Sequence, residues 1–336
     1  MNVKNPRAIR TAAQEALAVH QDPQRIPLVY AGISALLSLA VTVISYIISQ
    51  NIDQMTGLAN MGTRAILSTV KTTLPLVQLV FLLVWEMGYQ MCALRLARRR
   101  YAECWDLKNG FSKFGALLRT KLLTAVVYIG LGIATMYASV FIFMALPIST
   151  AFYEIVTPML ESTSLLNNTI VFDEATLAAA SAAVWPLFLI CAVVFLVVGL
   201  PIFYSFRMVN FCIADNSQRS GLTILKESRT MMRGNRMKLF KLDLSFWWFF
   251  LLEGLIRVLA YLDVLLPMAG ITLPWSDTIS FYGCYILSLA AQVAVYWAYL
   301  NRVTVSRAVF YDAIRPETPT GGVTLGNIFD FAKEQQ

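Results

Sequence analysis

The stretch LLTAVVYIGLGIATMYASVFIFMALPI, Leu122–Ile148, contains no charged residue. A helix needs about 20 consecutive apolar residues to cross a hydrocarbon core of roughly 30 Å, and this stretch is long enough to do so. A strand of a membrane β-barrel would instead alternate apolar and polar residues over about ten positions. The stretch therefore predicts a membrane-spanning helix.

Five further stretches share this length and apolar character. The six predicted spans lie near residues 26–49, 73–96, 122–148, 183–206, 242–262 and 278–300. The composition agrees, because 57% of the residues are hydrophobic and only 14% are charged, whereas about a quarter are charged in a typical soluble chain. Each span must be helical because lipid offers an unpaired backbone no hydrogen-bond partner.

The predicted fold class is therefore all-α: a polytopic helical membrane protein with six transmembrane helices. Residues 1–316 are predicted to form a single membrane domain, and residues 317–336 a loose tail.

The basic residues lie on one side of these spans. Of the 27 lysines and arginines, all except Arg64, Lys71 and Arg257 belong to four groups on one side of the spans: before residue 26, from Arg95 to Lys121, from Arg207 to Lys241, and after residue 300. Cytoplasmic segments carry such an excess, so both termini are expected in the cytoplasm. The net charge of +7 lies at span ends, where topology and anionic headgroups explain it, and no nucleic-acid partner is predicted.

Amphipathic segments precede the first, third and fifth spans. Their apolar faces comprise Ile9, Ala13, Ala16 and Leu17, then Leu107, Phe111, Phe114 and Leu118, then Leu222, Leu225, Met232 and Leu239. Apolar and basic faces at helical spacing predict interfacial helices on the inner face, with anionic lipid headgroups as partners. The order of interfacial helix, outward span and inward span then occurs three times. A genuine internal repeat and a consequence of positive-inside topology alone are both compatible with this pattern.

One basic segment carries a recognisable signature, LKES at Leu225–Ser228, followed by Met232, Gly234-Asn235 and LDLSF at Leu242–Phe246. The signature resembles the uncharacterised bacterial membrane family called domain of unknown function 975. Other matching positions are Arg10, Ala13, Leu17 and Arg307–Tyr311. The chain departs from the family in a long outer loop, residues 149–182, and in Trp247-Trp248. The resemblance implies a multi-pass protein of the bacterial cytoplasmic membrane, and it implies no activity or substrate.

The signature also has a physical interpretation. Gly234 is expected to end the preceding helix because glycine tolerates the left-handed cap conformation. The cations around it form either a corner required for folding or a site for a lipid headgroup or polyprenyl phosphate at the inner leaflet. The candidate lipid- or phosphate-binding residues are Lys226, Arg229, Arg233 and Arg236.

Three charged residues lie deep in predicted spans, namely Glu86, Glu253 and Arg257. A charge at this depth costs about 2.5–3.5 kcal/mol on insertion scales, which makes each a functional candidate. The two carboxylates are interpreted as proton or cation carriers that face a polar cavity. In the alternative, Glu253 and Arg257 neutralise each other as a helical pair, and Glu86 forms a structural hydrogen bond with Gln78, Gln90 or Gln292.

Prolines in the fourth span and aspartates near the ends of the fifth are two further features of the sequence. Pro186 and Pro201, with Gly199 between them, predict a kinked or broken fourth span, a device that some transporters use. Asp243 and Asp263 flank the fifth span, from which they are expected to reach the membrane interfaces.

Motifs for catalysis and for metal binding are missing from the sequence. The five cysteines show no metal-ligand spacing, and His20 is the single histidine. The patterns G-x-x-x-x-G-K-[ST], G-x-S-x-G and H-E-x-x-H do not occur. No cofactor, metal or enzymatic activity is therefore predicted.

Two functions from different classes remain. The first is a transporter-like protein or export component for a small solute, lipid or peptide, which the deep charges favour. The alternative is a non-catalytic envelope scaffold or assembly protein that binds anionic lipid or a protein partner through its basic segments.

Overall fold

The computed structural model describes residues 5–55, 60–147, 149–150, 153–154, 185–216, 218–268 and 277–315. Every regular element in this part of the chain is helical, so the predicted all-α class is confirmed. The helices are α1 Pro6–Ala18, α2 Arg25–Gln54, α3 Met61–Ala97, α4 Asn109–Ser112, α5 Phe114–Ala145, α6 Trp185–Asp215, α7 Gly221–Met232, α8 Arg236–Leu244, α9 Trp247–Ala260, α10 Leu262–Met268, α11 Asp277–Val295 and α12 Asn301–Ile314.

Two short segments connect these helices. A 3₁₀ turn, Cys104–Lys108, precedes α4, and a π-helical segment, Tyr296–Leu300, joins α11 to α12. The predicted tail and most of the predicted outer loop 149–182 lie outside the described residues.

Five of the described helices are long and apolar enough to cross a membrane: α2, α3, α5, α6 and the continuous helix Phe281–Ile314. The predicted fifth span, 242–262, is instead divided among α8, α9 and α10. Helix α9 has 14 residues, fewer than the roughly 20 that a crossing needs. The division follows from Ser245 and Phe246: the Ser245 hydroxyl donates to the Leu242 carbonyl at 2.6 Å, and Phe246 has non-helical angles of φ −110° and ψ 25°.

Several helices extend beyond the apolar runs that predict them. Helix α3 begins at Met61, well before residue 73, where the second span was predicted to begin, and α12 continues to Ile314, beyond the predicted end of the sixth span. Threonine hydroxyls in the polar part of α3 donate hydrogen bonds to carbonyls of the same helix. Thr69, for example, donates to the Ala65 carbonyl at 2.8 Å. Hydropathy therefore identifies the part of a helix that is compatible with lipid, and the helix extends beyond that part.

The expected break in the fourth span is a π-helical segment, Phe195–Gly199, immediately before Pro201. Proline has no N–H to donate to the carbonyl of Val197, so the regular helical ladder cannot continue unchanged. Gly199 provides space for the wider turn, since a Cβ atom there would lie 2.8 Å from the Phe195 ring. Pro186 lies in α6 without a change of helix type.

The chain forms two compact units, Met1–Leu118 with Met208–Gln336, and Arg119–Arg207. In the first unit the predicted apolar face of α1 is buried in full, and α1 contacts α3, α8 and α12. In the second unit the Tyr128 ring lies 6.4 Å from that of Phe203. Only 0–17% of the most apolar part of each candidate span is buried inside the protein, as expected for helices whose sides face lipid.

Two glycines allow α3 and α4 to touch through their backbones. A Cβ atom on Gly88 would lie 1.9 Å from the carbonyl oxygen of Leu107, and one on Gly110 would lie 2.3 Å from that of Val84. Small residues permit such approaches between helices. The contact replaces the single amphipathic helix expected over 107–118 by the 3₁₀ turn, α4 and the start of α5.

Candidate functional site

Three tyrosine rings stack between the membrane helices of the first unit. The Tyr30 ring of α2 lies 4.8 Å from the Tyr89 ring of α3 and 6.4 Å from the Tyr296 ring of the π-helical segment, centroid to centroid. The stack is held by polar bonds: Trp85 Nε1 donates to the Tyr30 carbonyl at 3.2 Å, and the Tyr89 hydroxyl donates to Asn301 Oδ1 at 2.8 Å.

Both deep carboxylates lie beside residues of this stack. Glu86 precedes Tyr89 by three residues on α3, and Gln90 Nε2 donates to Glu86 Oε1 at 2.7 Å. The Tyr296 hydroxyl donates to Glu253 Oε1 at 3.4 Å. We call Tyr30, Glu86, Tyr89, Glu253 and Tyr296 the tyrosine cluster. The fold thus places two acids from distant parts of the sequence beside one stack of rings.

The third deep charge, Arg257, is only loosely attached to this cluster. Its Nη2 atom lies 3.4 Å from Glu253 Oε1, and its side chain is 73% exposed while that of Glu253 is 28% exposed. The contacts of Glu253 with Arg257 and with the Tyr296 hydroxyl are both 3.4 Å long. Usual hydrogen bonds are about 2.7–3.2 Å for an N–H donor and about 2.5–3.0 Å for an O–H donor. Among the described residues Glu253 therefore has no short bond to a cation, and Glu86 is bonded to a neutral amide.

A second cluster, which the sequence does not predict, joins the ends of α3, α6 and α12. Arg98 donates to both oxygens of Asp215 at 2.7 and 2.9 Å and to Asp312 at 2.7 Å. Asp215 also accepts from the Tyr311 hydroxyl at 2.9 Å and pairs with Arg315 at 2.8 Å. We call these five residues the Arg98 cluster.

Arg98 lies at the capped end of α3, and two carboxylates keep its guanidinium charged. Arg99 takes the left-handed angle φ 55°, and the Arg100 N–H then bonds to the Arg95 carbonyl at 2.9 Å, which closes the helix end. Burial lowers the pKa of Arg98, but the hydrogen bonds and charges of Asp215 and Asp312 outweigh it and raise that pKa overall. The guanidinium is a permanent cation that links three helix ends.

The predicted lipid-binding residues do not all share one surface. On α7, Lys226 and Arg229 are exposed, as is Arg233 after its end. Of the predicted apolar face, Leu225 and Met232 are buried on this helix, whereas Leu222 is 68% exposed. Arg236 is part-buried at the start of α8, and its Nε atom has no hydrogen-bond partner among the described residues. Gly234 has φ +80°, which confirms the expected glycine at the end of this helix.

Residues that carry the family signature meet in space although they are far apart in sequence. Arg307 Nε donates to Asp243 Oδ1 at 2.9 Å, with side chains 13% and 7% exposed. Asp243, near the start of the predicted fifth span, thus forms a buried pair with α12. The Arg10 guanidinium of α1 lies 5.0 Å from the centre of the Phe246 ring and donates to the Ser245 carbonyl at 3.5 Å.

Comparisons with known proteins give one positive result. No curated protein and no solved structure matches the chain. A family model described as "Protein of unknown function (DUF975)" matches residues 1–318. The chain therefore belongs to the DUF975 family, as its signature predicts, and the function of that family is unknown.

Proposed function

We propose that this chain is a multi-pass protein of the bacterial cytoplasmic membrane, with six crossings and both termini in the cytoplasm. Helices α8, α9 and α10 together would supply the crossing between α6 and α11. With five crossings, the basic segments at 207–241 and after residue 300 would lie on opposite sides, against the positive-inside rule. In this topology α1 and α7 lie along the inner face, with their basic side chains among lipid headgroups.

The position of the C-terminus tests this topology. In bacterial cells, a green fluorescent protein fused after Gln336 should fluoresce and an alkaline phosphatase fused there should be inactive, because the first folds in the cytoplasm and the second requires export. Active phosphatase without fluorescence would contradict six crossings. A fusion between residues 55 and 61, expected outside, is the matched control and should give the opposite pair of results.

We further propose a transporter-like, non-enzymatic role, as a carrier or export component for a small solute, lipid or peptide. The tyrosine cluster is the observation that carries this proposal. Two carboxylates lie there beside one stack of rings from apolar helices. The only cation bonded to either of them among the described residues is Arg257, whose contact is long and whose side chain is largely exposed. Charges at membrane depth are costly unless they are neutralised. A surplus of negative charge suits the transient binding of a proton or of a cationic group on the transported molecule.

Ligand-induced stabilisation tests this role directly. The melting temperature of the purified chain would be measured against ions, peptides, anionic lipids and polyprenyl phosphates, for the wild type, Glu86→Gln and Glu253→Gln. Because a ligand stabilises the state that it binds, a ligand of the cluster should raise the melting temperature of the wild type and of a control variant outside the cluster, but not that of Glu86→Gln or Glu253→Gln. Glu15→Gln is the control, since this α1 carboxylate is 54% exposed. Equal stabilisation in all four proteins would refute the carrier role.

One observation favours the alternative of a non-catalytic scaffold. Lys226, Arg229 and Arg233 are all exposed along one basic segment, where anionic lipid or an acidic partner could bind. Replacing all three by glutamine should abolish capture by vesicles that contain phosphatidylglycerol, while the melting temperature stays near that of the wild type. Undiminished capture would exclude this role for the segment.

A further inference from the structure

A cavity of about 140 Å³ lies between α1, the junction of α8 with α9, and α12. Its walls combine basic, polar and aromatic side chains. The lining residues that matter most are Arg10, Gln14, Ser245, Phe246, Trp248 and Arg302. Several of these positions carry the family signature, and none belongs to the tyrosine cluster or to the exposed basic face of α7.

The charge of this cavity is positive and uncompensated. Arg10 and Arg302 both line it, and no aspartate or glutamate does so among the described residues. Within the part of the chain that the structure describes, neither arginine forms an ion pair. The one hydrogen bond from Arg10, to the Ser245 carbonyl, is long at 3.5 Å. Its guanidinium lies over the Phe246 ring, and its other N–H groups are available to donate hydrogen bonds to a ligand.

Two larger cavities nearby provide a useful contrast, since they are also rich in arginine. One, of about 490 Å³, is lined by Arg95 and Arg98, and the other, of about 400 Å³, by Arg219 and Arg315. These arginines are already paired with carboxylates of the protein, at 2.6–2.8 Å. A high content of arginine alone therefore does not mark an anion site. Asp215 lines both larger cavities, whereas no carboxylate among the described residues lines the cavity of Arg10 and Arg302.

We propose that this cavity binds the phosphate group of an anionic phospholipid. Arginine forms paired, charge-assisted hydrogen bonds with phosphate, and two guanidinium groups can neutralise it. The volume suits a phosphate with a few attached atoms, since pockets for drug-sized molecules reach about 300–1,000 Å³. The lipid source follows from the exposed wall: Trp248 is 59% exposed and stacks on Trp247 at 3.8 Å, and tryptophan favours the membrane–water interface.

Stabilisation by defined lipids tests the proposal on the full chain in a neutral detergent. Phosphatidylglycerol should raise the melting temperature, and phosphatidylcholine and free glycerol 1-phosphate should not. In the Arg10→Gln/Arg302→Gln variant the half-maximal phosphatidylglycerol concentration should rise roughly tenfold or more, because charge-assisted bonds are lost. The control is Arg7→Gln/Lys108→Gln, which removes the same charge from two exposed positions that do not line the cavity and should respond as the wild type does.

Each other outcome would overturn the proposal. An unchanged response of the cavity variant, or an equal loss in the control, would show that the cavity is not the site. Stabilisation by glycerol 1-phosphate as strong as that by the lipid would assign the cavity to soluble phosphates. Arg302→Gln guards against loss of folding, since Arg302 is exposed and its replacement alone should still weaken the response to phosphatidylglycerol.

Discussion

Arg98 shows how one residue can hold several helix ends together. Its side chain is 25% exposed, and its partners Asp215 and Asp312 are 10% and 12% exposed. Removing one partner from a buried ion pair destabilises a protein by about 3–5 kcal/mol, because the remaining charges stay buried without compensation. We therefore expect Arg98→Met to lower the melting temperature strongly in thermal unfolding. Arg100→Met, at an exposed neighbouring cation, should have little effect, and similar losses in both variants would contradict this account.

Asp106 should make stability depend on acid pH. Burial raises the pKa of this carboxyl, but the Glu103 N–H and the Arg95 guanidinium outweigh burial and lower it overall. A carboxyl with a lowered folded-state pKa stabilises the fold above its unfolded pKa of about 3.9, and this contribution is lost as pH falls through the folded value. Wild type should therefore melt higher than Asp106→Asn near pH 7, and the two should converge toward pH 3. A constant difference across that range would argue against the pair with Arg95.

The sequence identified some of these residues and missed others for a physical reason. Glu86 and Glu253 are conspicuous because a charge inside an apolar run is costly. Tyr30 and Tyr296 are not, since tyrosine is ordinary in a membrane helix and only the fold brings these rings together. Arg98 lies in a basic run at a span end, where topology already explains a charge, so nothing in the sequence set it apart.

Among the elements, the crossing of α3 and α4 depends on two glycines. Gly110→Ala would place a methyl group against backbone atoms of α3, and overpacking of this kind typically costs about 1–3 kcal/mol. Thermal unfolding should show a clear loss for Gly110→Ala. Gly130→Ala in α5 is the matched control, because nothing lies within 4 Å of the added atom, and it should be neutral or slightly stabilising. Equal effects at both glycines would show that the backbone contact is not tight.

Apolar periodicity predicts which segments are helical better than it predicts where a helix is interrupted. Helix α1 and its buried face follow directly from apolar residues at helical spacing. The division between α8 and α9 depends on the Ser245 side chain turning back to the Leu242 carbonyl, and the 3₁₀ turn before α4 depends on the close approach of Gly88. Neither contact leaves a trace in hydropathy, so the sequence predicted a single span and a single helix at these places.

For the whole molecule, the buried core and the apolar surface occupy different parts of the helices. In the first unit the largest buried side chains include Ile9, Met87 and Phe310, which lie near the basic ends of the spans. The most apolar parts of the spans are almost unburied. Composition and charge distribution predicted a membrane class of this kind, whereas the packing of signature residues from both chain ends required the structure.

The central claim is that Glu86 and Glu253 form one site around Tyr30, and a double-mutant cycle tests it without any ligand. The free energy of unfolding would be measured for the wild type, Glu86→Gln, Glu253→Gln and the double variant. Independent sites add within about 0.3–0.5 kcal/mol, and coupled ones depart by about 0.5–3 kcal/mol. We predict a clear departure, because Tyr30 stacks on both Tyr89, one turn from Glu86, and Tyr296, which bonds to Glu253. Strict additivity would mean that the two acids do not share a site.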